Sequence, residues 1–117
     1  MNSLLIIGPA ACAVANAFIA IADYARAPFV LANNAEVGLP PAALPYLATL
    51  KLAGAVGLLV GLLGVPWLGL AAGAGLIAFF VGAVVVHLRA RVLHNIAAPG
   101  AYLLLAIAAT GFFVAGT

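Results

Sequence analysis

Four long apolar segments are the feature that most constrains how this chain can fold. They cover residues 3–22, 42–63, 67–88 and 99–116. Each has about 20 residues, which is the length that an α-helix needs to cross the hydrocarbon layer of a membrane. A membrane-spanning strand needs only about 10 residues and alternates polar with apolar side chains, whereas these segments are apolar on every side. The sequence therefore predicts an all-α integral membrane protein, an antiparallel bundle of four helices, with residues 1–117 in a single transmembrane domain.

The scarcity of charged residues excludes a water-soluble domain and a nucleic-acid partner. Of the 117 residues, 68% are hydrophobic and 5% are charged. A soluble domain carries about 25% charged residues, which keep its surface solvated. The net charge of +2 is too small and too scattered for nucleic-acid binding. We therefore expect the lipid bilayer to be the main partner of the chain.

The sequence lacks the residues of a self-sufficient enzyme. Cys12 is the single cysteine and Ser3 the single serine, and there is no HExxH motif and no glycine-rich phosphate loop. One cysteine excludes an intrachain disulfide and any multi-cysteine metal site. We therefore expect no metal, no catalytic residues and no enzymatic activity of the chain on its own.

The basic residues near the ends of the segments predict the orientation in the membrane. Arg26, Arg89 and Arg91 lie on the side of the two longer connections, residues 27–41 and 89–98. The opposite side, with both termini and the tight turn after the second segment, has no lysine or arginine. The positive-inside rule therefore places the two longer connections in the cytoplasm and both termini outside.

The connections themselves differ in their turn residues. Residues 64–66 form a very short link, so the second and third helices are predicted to make an antiparallel hairpin. Residues 27–41 contain the pairs Asn33-Asn34 and Pro40-Pro41, which are typical of turns. We expect an irregular loop there.

Lys51 is the most informative single residue, because it lies near the middle of the second segment. A lysine at such a depth costs roughly 2.5–3.5 kcal/mol on insertion. Asp23, near the same end of the first segment, is the natural counter-ion, and we predict that the two side chains form a polar cluster inside the bundle together with the Asn16 or His87 side chain. One interpretation is a structural ion pair, or a lysine that extends to the membrane surface. The other is a ligand or proton site, since charges inside a membrane are candidate functional groups.

Further polar residues are predicted to lie in the same leaflet as Lys51. Asn16 is seven residues before Asp23 and therefore on the same helix face, while His87 and Arg89 end the third segment on that side. Asn16 could instead bond between helices and His87 could be merely interfacial. The candidate ligand-binding residues are Asn16, Asp23, Lys51, His87 and Arg89.

Small residues predict where helices pack closely. Gly57 and Gly61 form a GxxxG pair in the second segment, and Gly69 and Gly73 form another in the third. Small residues allow helix backbones to approach each other in a membrane. We expect Gly57 and Gly73 to bring the second and third helices together. The alternative is a seam between copies of the chain in a homo-oligomer.

Several stretches resemble the DoxX-like family of small membrane proteins. Residues 50–55 (LKLAGA) are similar to a family stretch of the LKLLGA type, and residues 82–89 (GAVVVHLR) are similar to a GAxxxHLR signature. The stretches DYARA at residues 23–27 and AEVGLP at residues 35–40 resemble the actinobacterial branch of the family. Lys51 and His87 are positions of these motifs, and neither corresponds to an established catalytic residue.

The resemblance implies a four-helix, multi-pass protein of the bacterial inner membrane. The family is named after a subunit of an archaeal thiosulfate:quinone oxidoreductase, and distant relatives include a membrane chaperone for acetylcholine receptors. We therefore expect an accessory or subunit protein that binds a lipophilic ligand, such as a quinone or a lipid, in a redox-linked membrane system. An assembly partner of other membrane proteins is one alternative, and a small transporter or proton relay is another.

Overall fold

The described residues form five α-helices, and four of them are long and apolar enough to cross a membrane. We describe residues 3–115 in a computed structural model, so Gly116, the predicted end of the last segment, lies outside the described residues. Within residues 3–115 there is no β-strand. The helices are α1 (Ile7–Tyr24), α2 (Pro28–Glu36), α3 (Leu44–Leu63), α4 (Pro66–Arg89) and α5 (Ala97–Ala115). Short 3₁₀ turns at Ser3–Ile6 and Pro41–Ala43 precede α1 and α3.

The four long helices form one bundle in which each packs on two neighbours. The helix α1 contacts α3 and α5, and α4 contacts the same two helices from the opposite side. Apolar helices of this length cross the bilayer because lipid requires every backbone polar group to be bonded within its own segment. The prediction of a helical membrane bundle is confirmed, and the chain is a multi-pass membrane protein.

A proline and a glycine set the tight turn between α3 and α4. Pro66 opens α4 in the first turn, where its missing N–H costs no helix bond. Gly64 ends α3 with φ of 139°, a conformation that L-residues with a side chain rarely adopt. The turn between the two helices is therefore tight, as the sequence predicts.

The glycines of the hairpin confirm one of the two predicted contacts and correct the other. A Cβ atom added to Gly57 would lie 2.6 Å from Ala72 Cβ, so Gly57 does face α4. The closest approach is at Gly61, where an added Cβ would lie 2.5 Å from the Cα of Gly69. Gly73 instead faces Thr110 of α5. The prediction for Gly73 was wrong because α4 carries small residues on two faces and packs on two neighbours.

The connection of residues 27–41 is largely helical, which corrects the expectation of an irregular loop. Pro28 opens α2 after an extended Ala27, and Gly38 follows the helix with φ of 83°. Pro28 has its φ preset for a helix start, and this outweighs the turn tendency of the asparagine pair inside α2. Val30 is buried, so α2 packs against the end of the bundle.

Candidate functional site

A buried ion pair joins α1 to α3. Lys51 Nζ donates a hydrogen bond to Asp23 Oδ2 at 2.6 Å. The side chains of Lys51 and Asp23 are 11% and 2% exposed, so both are inside the bundle and neither faces lipid. The predicted pairing is confirmed, and it follows from two costly charges at the same depth of two adjacent helices. Within residues 3–115 neither Asn16 nor His87 bonds to the pair, because their side chains bond to backbone carbonyl groups of their own helices.

The pair retains unused hydrogen-bonding capacity. An ammonium group has three N–H donors, and Asp23 is the one hydrogen-bond partner of Lys51 among the described residues. Nζ also lies 5.6 Å from the centroid of the Phe79 ring, within cation–π range. Within residues 3–115 the second carboxylate oxygen, Asp23 Oδ1, makes no hydrogen bond. The pair can therefore accept and donate further bonds to a bound molecule.

A cavity of about 380 Å³ adjoins this ion pair. Its wall includes both charged side chains, and most of the remaining surface is apolar or aromatic. The aromatic members are Phe18, Phe29, Phe79, Phe80 and Tyr102. A volume above about 300 Å³, an apolar wall and a few converging polar groups are typical of small-molecule sites.

His87 is a further polar group in the cavity wall. Its Nδ1 lies 2.8 Å from the carbonyl oxygen of Ala83, one turn earlier in α4. A carbonyl oxygen can only accept a hydrogen bond, so Nδ1 carries a hydrogen atom and is the donor of this bond. This bond fixes the ring and leaves Nε2 as the nitrogen available to a ligand, because Ala83 is the one hydrogen-bond partner of His87 within the described part of the chain.

Two of the five predicted site residues lie outside the cavity wall. Asn16 is fully buried in α1, where its Nδ2 donates to the carbonyl oxygen of Cys12 at 2.9 Å and its Oδ1 has no hydrogen-bond partner among residues 3–115. Arg89 is exposed at the end of α4. The structure thus brings Asp23, Lys51 and His87 together around one space. A ligand role for Asn16 and Arg89 stays a prediction.

Tyr102 is a wall residue that the sequence did not single out. Its ring stacks on Phe80 with centroids 5.2 Å apart and planes 15° apart. Its hydroxyl donates to the carbonyl oxygen of Ala15 at 3.2 Å and so bridges α5 to α1. An aromatic residue near a helix end is usually an interfacial anchor, and no local pattern distinguishes a residue that lines a cavity.

The short helix α2 covers the cavity at the end where α1 finishes and α3 begins. Its side chains Phe29, Val30, Asn33 and Asn34 line the space. Asn95 Nδ2, in the connection between α4 and α5, donates to Asn33 Oδ1 at 3.0 Å. Beside it, His94 Nε2 lies 2.8 Å from Glu36 Oε2 in a largely exposed contact. These two contacts attach α2 to the opposite side of the cavity.

The polar groups of the site suit an organic ligand better than a metal ion. Among residues 3–115 no three His, Cys, Asp or Glu side chains are grouped so that they could hold a metal. The cavity combines a cationic donor, a carboxylate acceptor and a histidine with flat aromatic surfaces. Such a set can hydrogen-bond the oxygen atoms of a head group and stack on its ring.

Comparison with known proteins gives one match. The sequence profile of the DoxX-like family matches residues 7–109, which includes the ion pair, the cavity and most of the four long helices. No curated protein and no solved structure matches the chain.

Proposed function

The chain belongs to the DoxX-like family, and we infer from its cavity that it binds a lipophilic ligand with a hydrogen-bonding head group, such as a quinone. The observation that carries this proposal is the position of the Lys51–Asp23 pair in the cavity wall. Lys51 and Asp23 both line the cavity, and Lys51 has N–H donors that no described residue accepts. A ligand in the cavity can supply the missing partner.

The chemistry of the wall indicates what kind of head group would bind. Lys51 can donate to a carbonyl oxygen, and Asp23 Oδ1 can accept from a hydroxyl group. His87 Nε2 can accept from a hydroxyl group when the ring is neutral and can donate when it is protonated. Phe80 and Tyr102, stacked on each other, both line the cavity and supply apolar contact for a ring. A quinone has carbonyl oxygens at both ends of a flat ring, and its reduced form has hydroxyl groups there. It therefore fits these groups in either state.

We propose that the protein acts as an accessory or subunit protein of a redox-linked system in the bacterial inner membrane, with both termini outside. The family membership and the four spanning helices support a membrane role. The sequence contains no catalytic motif, which supports the proposal that a separate partner protein performs the electron transfer. A ligand held beside Lys51 would then be bound and positioned, not transformed, by this chain.

Native mass spectrometry with extraction of bound small molecules tests the proposal. The protein would be purified in mild detergent from cells that make quinones, and also after addition of a naphthoquinone. We expect a bound quinone in the wild type and its loss in the Lys51→Met/Asp23→Asn double variant, in which the pair is neutral. Arg91→Met removes an exposed cation outside the cavity and should retain the ligand. Equal binding by the wild type and the double variant, or no binding by the wild type, would contradict the proposal.

A further inference from the structure

The helices α1 and α5 pack closely near the start of α1, and at their other end both line the cavity. Near the start of α1, a Cβ atom added to Gly8 would lie 3.7 Å from the backbone of Ala108. Two turns further along, the Tyr102 hydroxyl still reaches the carbonyl oxygen of Ala15. Beyond this bridge the facing residues line the cavity, with Ile19 on α1 and Ala98 on α5. The cavity therefore lies beyond the Tyr102 bridge, beside the end of α1 and the start of α5.

Exposed side chains show that the cavity reaches the outer surface of the bundle at this place. Phe18 is 65% exposed and Phe29 is 50% exposed, and both also line the cavity. Ala98 is exposed as well as cavity-lining. Since Phe18 belongs to the membrane-spanning helix α1, the opening beside it faces lipid.

The side of the cavity toward the connections is covered by α2. Val30, on the inner side of this helix, is 5% exposed. The Asn33–Asn95 hydrogen bond attaches α2 to the α4–α5 connection. The helix α2 therefore lies between this side of the cavity and the water. A molecule dissolved in the bilayer would meet the gap between α1 and α5 directly.

We propose that the ligand enters from the bilayer between α1 and α5, and that it is an amphiphile whose hydrocarbon tail occupies this gap. Its polar head reaches Lys51, and its tail leaves the bundle between Phe18 and Ala98. This inference rests on the proposed function, because it assumes that the head binds at the ion pair. It adds the class of ligand: a membrane-dissolved molecule with a chain, not a small water-soluble compound.

The gap also explains how such a ligand could have a polar head and a long tail without a larger cavity. About 380 Å³ holds a small ring system, and an attached chain needs a continuous apolar path to lipid. The aromatic ring of Phe18 and the small side chain of Ala98 form such a path. Replacing Ala98 by a large residue would fill the path and leave the polar end of the cavity intact.

Titration with two naphthoquinones that share a head group tests this proposal. One probe is 2-methyl-1,4-naphthoquinone without a chain, and the other carries a prenyl chain on the same ring. Both are titrated into detergent-solubilised wild-type and Ala98→Trp protein, with bound fractions measured by native mass spectrometry. We expect Ala98→Trp to weaken the chain-bearing probe by about tenfold or more, because an overfilled site excludes the chain. The tail-less probe should bind within about twofold of the wild type, because the substitution leaves the Lys51–Asp23 pair unchanged. A twofold change is well below the tenfold effect that corresponds to about 1.4 kcal/mol.

Two further variants make the result unambiguous. Ala78→Trp alters an exposed alanine of α4 that does not line the cavity, and it should change neither affinity. If Ala98→Trp fails to fold, Ala98→Leu gives a smaller obstruction with the same direction of effect. An equal loss for both probes, or no loss for either, would overturn the lateral path. If the Lys51→Met/Asp23→Asn variant binds both probes as the wild type does, the proposed function itself fails.

Discussion

The two ends of the bundle are built from different kinds of residue. At the end with the α3–α4 turn, the backbones of Gly61 and Gly69 come so close that no Cβ atom fits between them. At the other end, Lys51, Phe80 and Tyr102 occupy the interior and the helices surround a cavity. Both ends belong to the same four spanning helices.

This difference separates the source of stability from the site of binding. Lipid gives helices no hydrophobic reason to associate, so close contact between backbones supplies much of the attraction. The glycine-rich end provides such contact. The end with the ion pair contains costly polar groups and an open space, and it depends on the rest of the bundle to hold its helices in place. The predictions below test this division.

The largest effect is expected when one member of the buried pair is removed. Asp23→Asn or Lys51→Met should each lower the free energy of unfolding by about 3–5 kcal/mol, because the remaining charge is left buried without a partner. The Lys51→Met/Asp23→Asn double variant should recover much of that loss. Thermal and denaturant unfolding in detergent would measure all four proteins as a double-mutant cycle. Two single losses that simply add would show that the pair is not coupled.

A smaller effect is expected at the glycine-rich end. Gly61→Ala places a methyl group 2.5 Å from the Gly69 Cα, so α3 and α4 must move apart. We expect a loss of about 1–3 kcal/mol, as for other overpacked sites. Gly75→Ala is the matched control, because nothing lies within 4 Å of its added Cβ. Gly75→Ala should be neutral or stabilising by up to about 1 kcal/mol, since alanine favours helix over glycine. Similar losses at both positions would show that the close approach does not stabilise the bundle.

The sequence predicted the helices and the ion pair because each follows from a large energy. About 20 apolar residues have few alternatives to a membrane helix. The pairing of Lys51 with Asp23 follows similarly, because an unpaired charge at that depth is costly and Asp23 is the one carboxylate within the predicted helices.

The rest of the site depends on quantities that the sequence does not contain. Which neighbour Gly73 faces depends on the rotation of α4 about its axis, and glycine has no side chain to indicate it. The cavity depends on the distance between the helices α1 and α5 beyond Tyr102. Residues such as Phe80 have helical spacing typical of any packed core, so their role in the wall could be seen only once the helices were assembled.

A modest effect is expected at the contact where the two regions meet. Tyr102→Phe removes the hydrogen bond to Ala15 and keeps the ring stacked on Phe80. We expect a loss of about 0.5–1.5 kcal/mol, the net value of a partly buried hydrogen bond. Tyr24→Phe is the control. It removes an exposed hydrogen bond to Thr49 of 2.7 Å and should cost less. A larger loss for Tyr24→Phe would mean that the α1–α5 bridge does not help to define the cavity.

The smallest effect on global stability is expected at the attachment of α2. Asn95→Ala removes the hydrogen bond to Asn33, which joins two connections and no spanning helices, so the unfolding midpoint should barely change. The amides of α2 should nevertheless exchange with deuterium about two- to tenfold faster, as expected for a lost hydrogen bond with a net value of about 0.5–1.5 kcal/mol. Asn34→Ala is the matched control, because the Asn34 side chain makes no hydrogen bond within residues 3–115. Exchange that is equally fast in both variants would show that the Asn33–Asn95 contact does not hold α2 over the cavity. Faster exchange confined to Asn95→Ala would show that the cover opens independently of the glycine-packed end, as the division between the two regions requires.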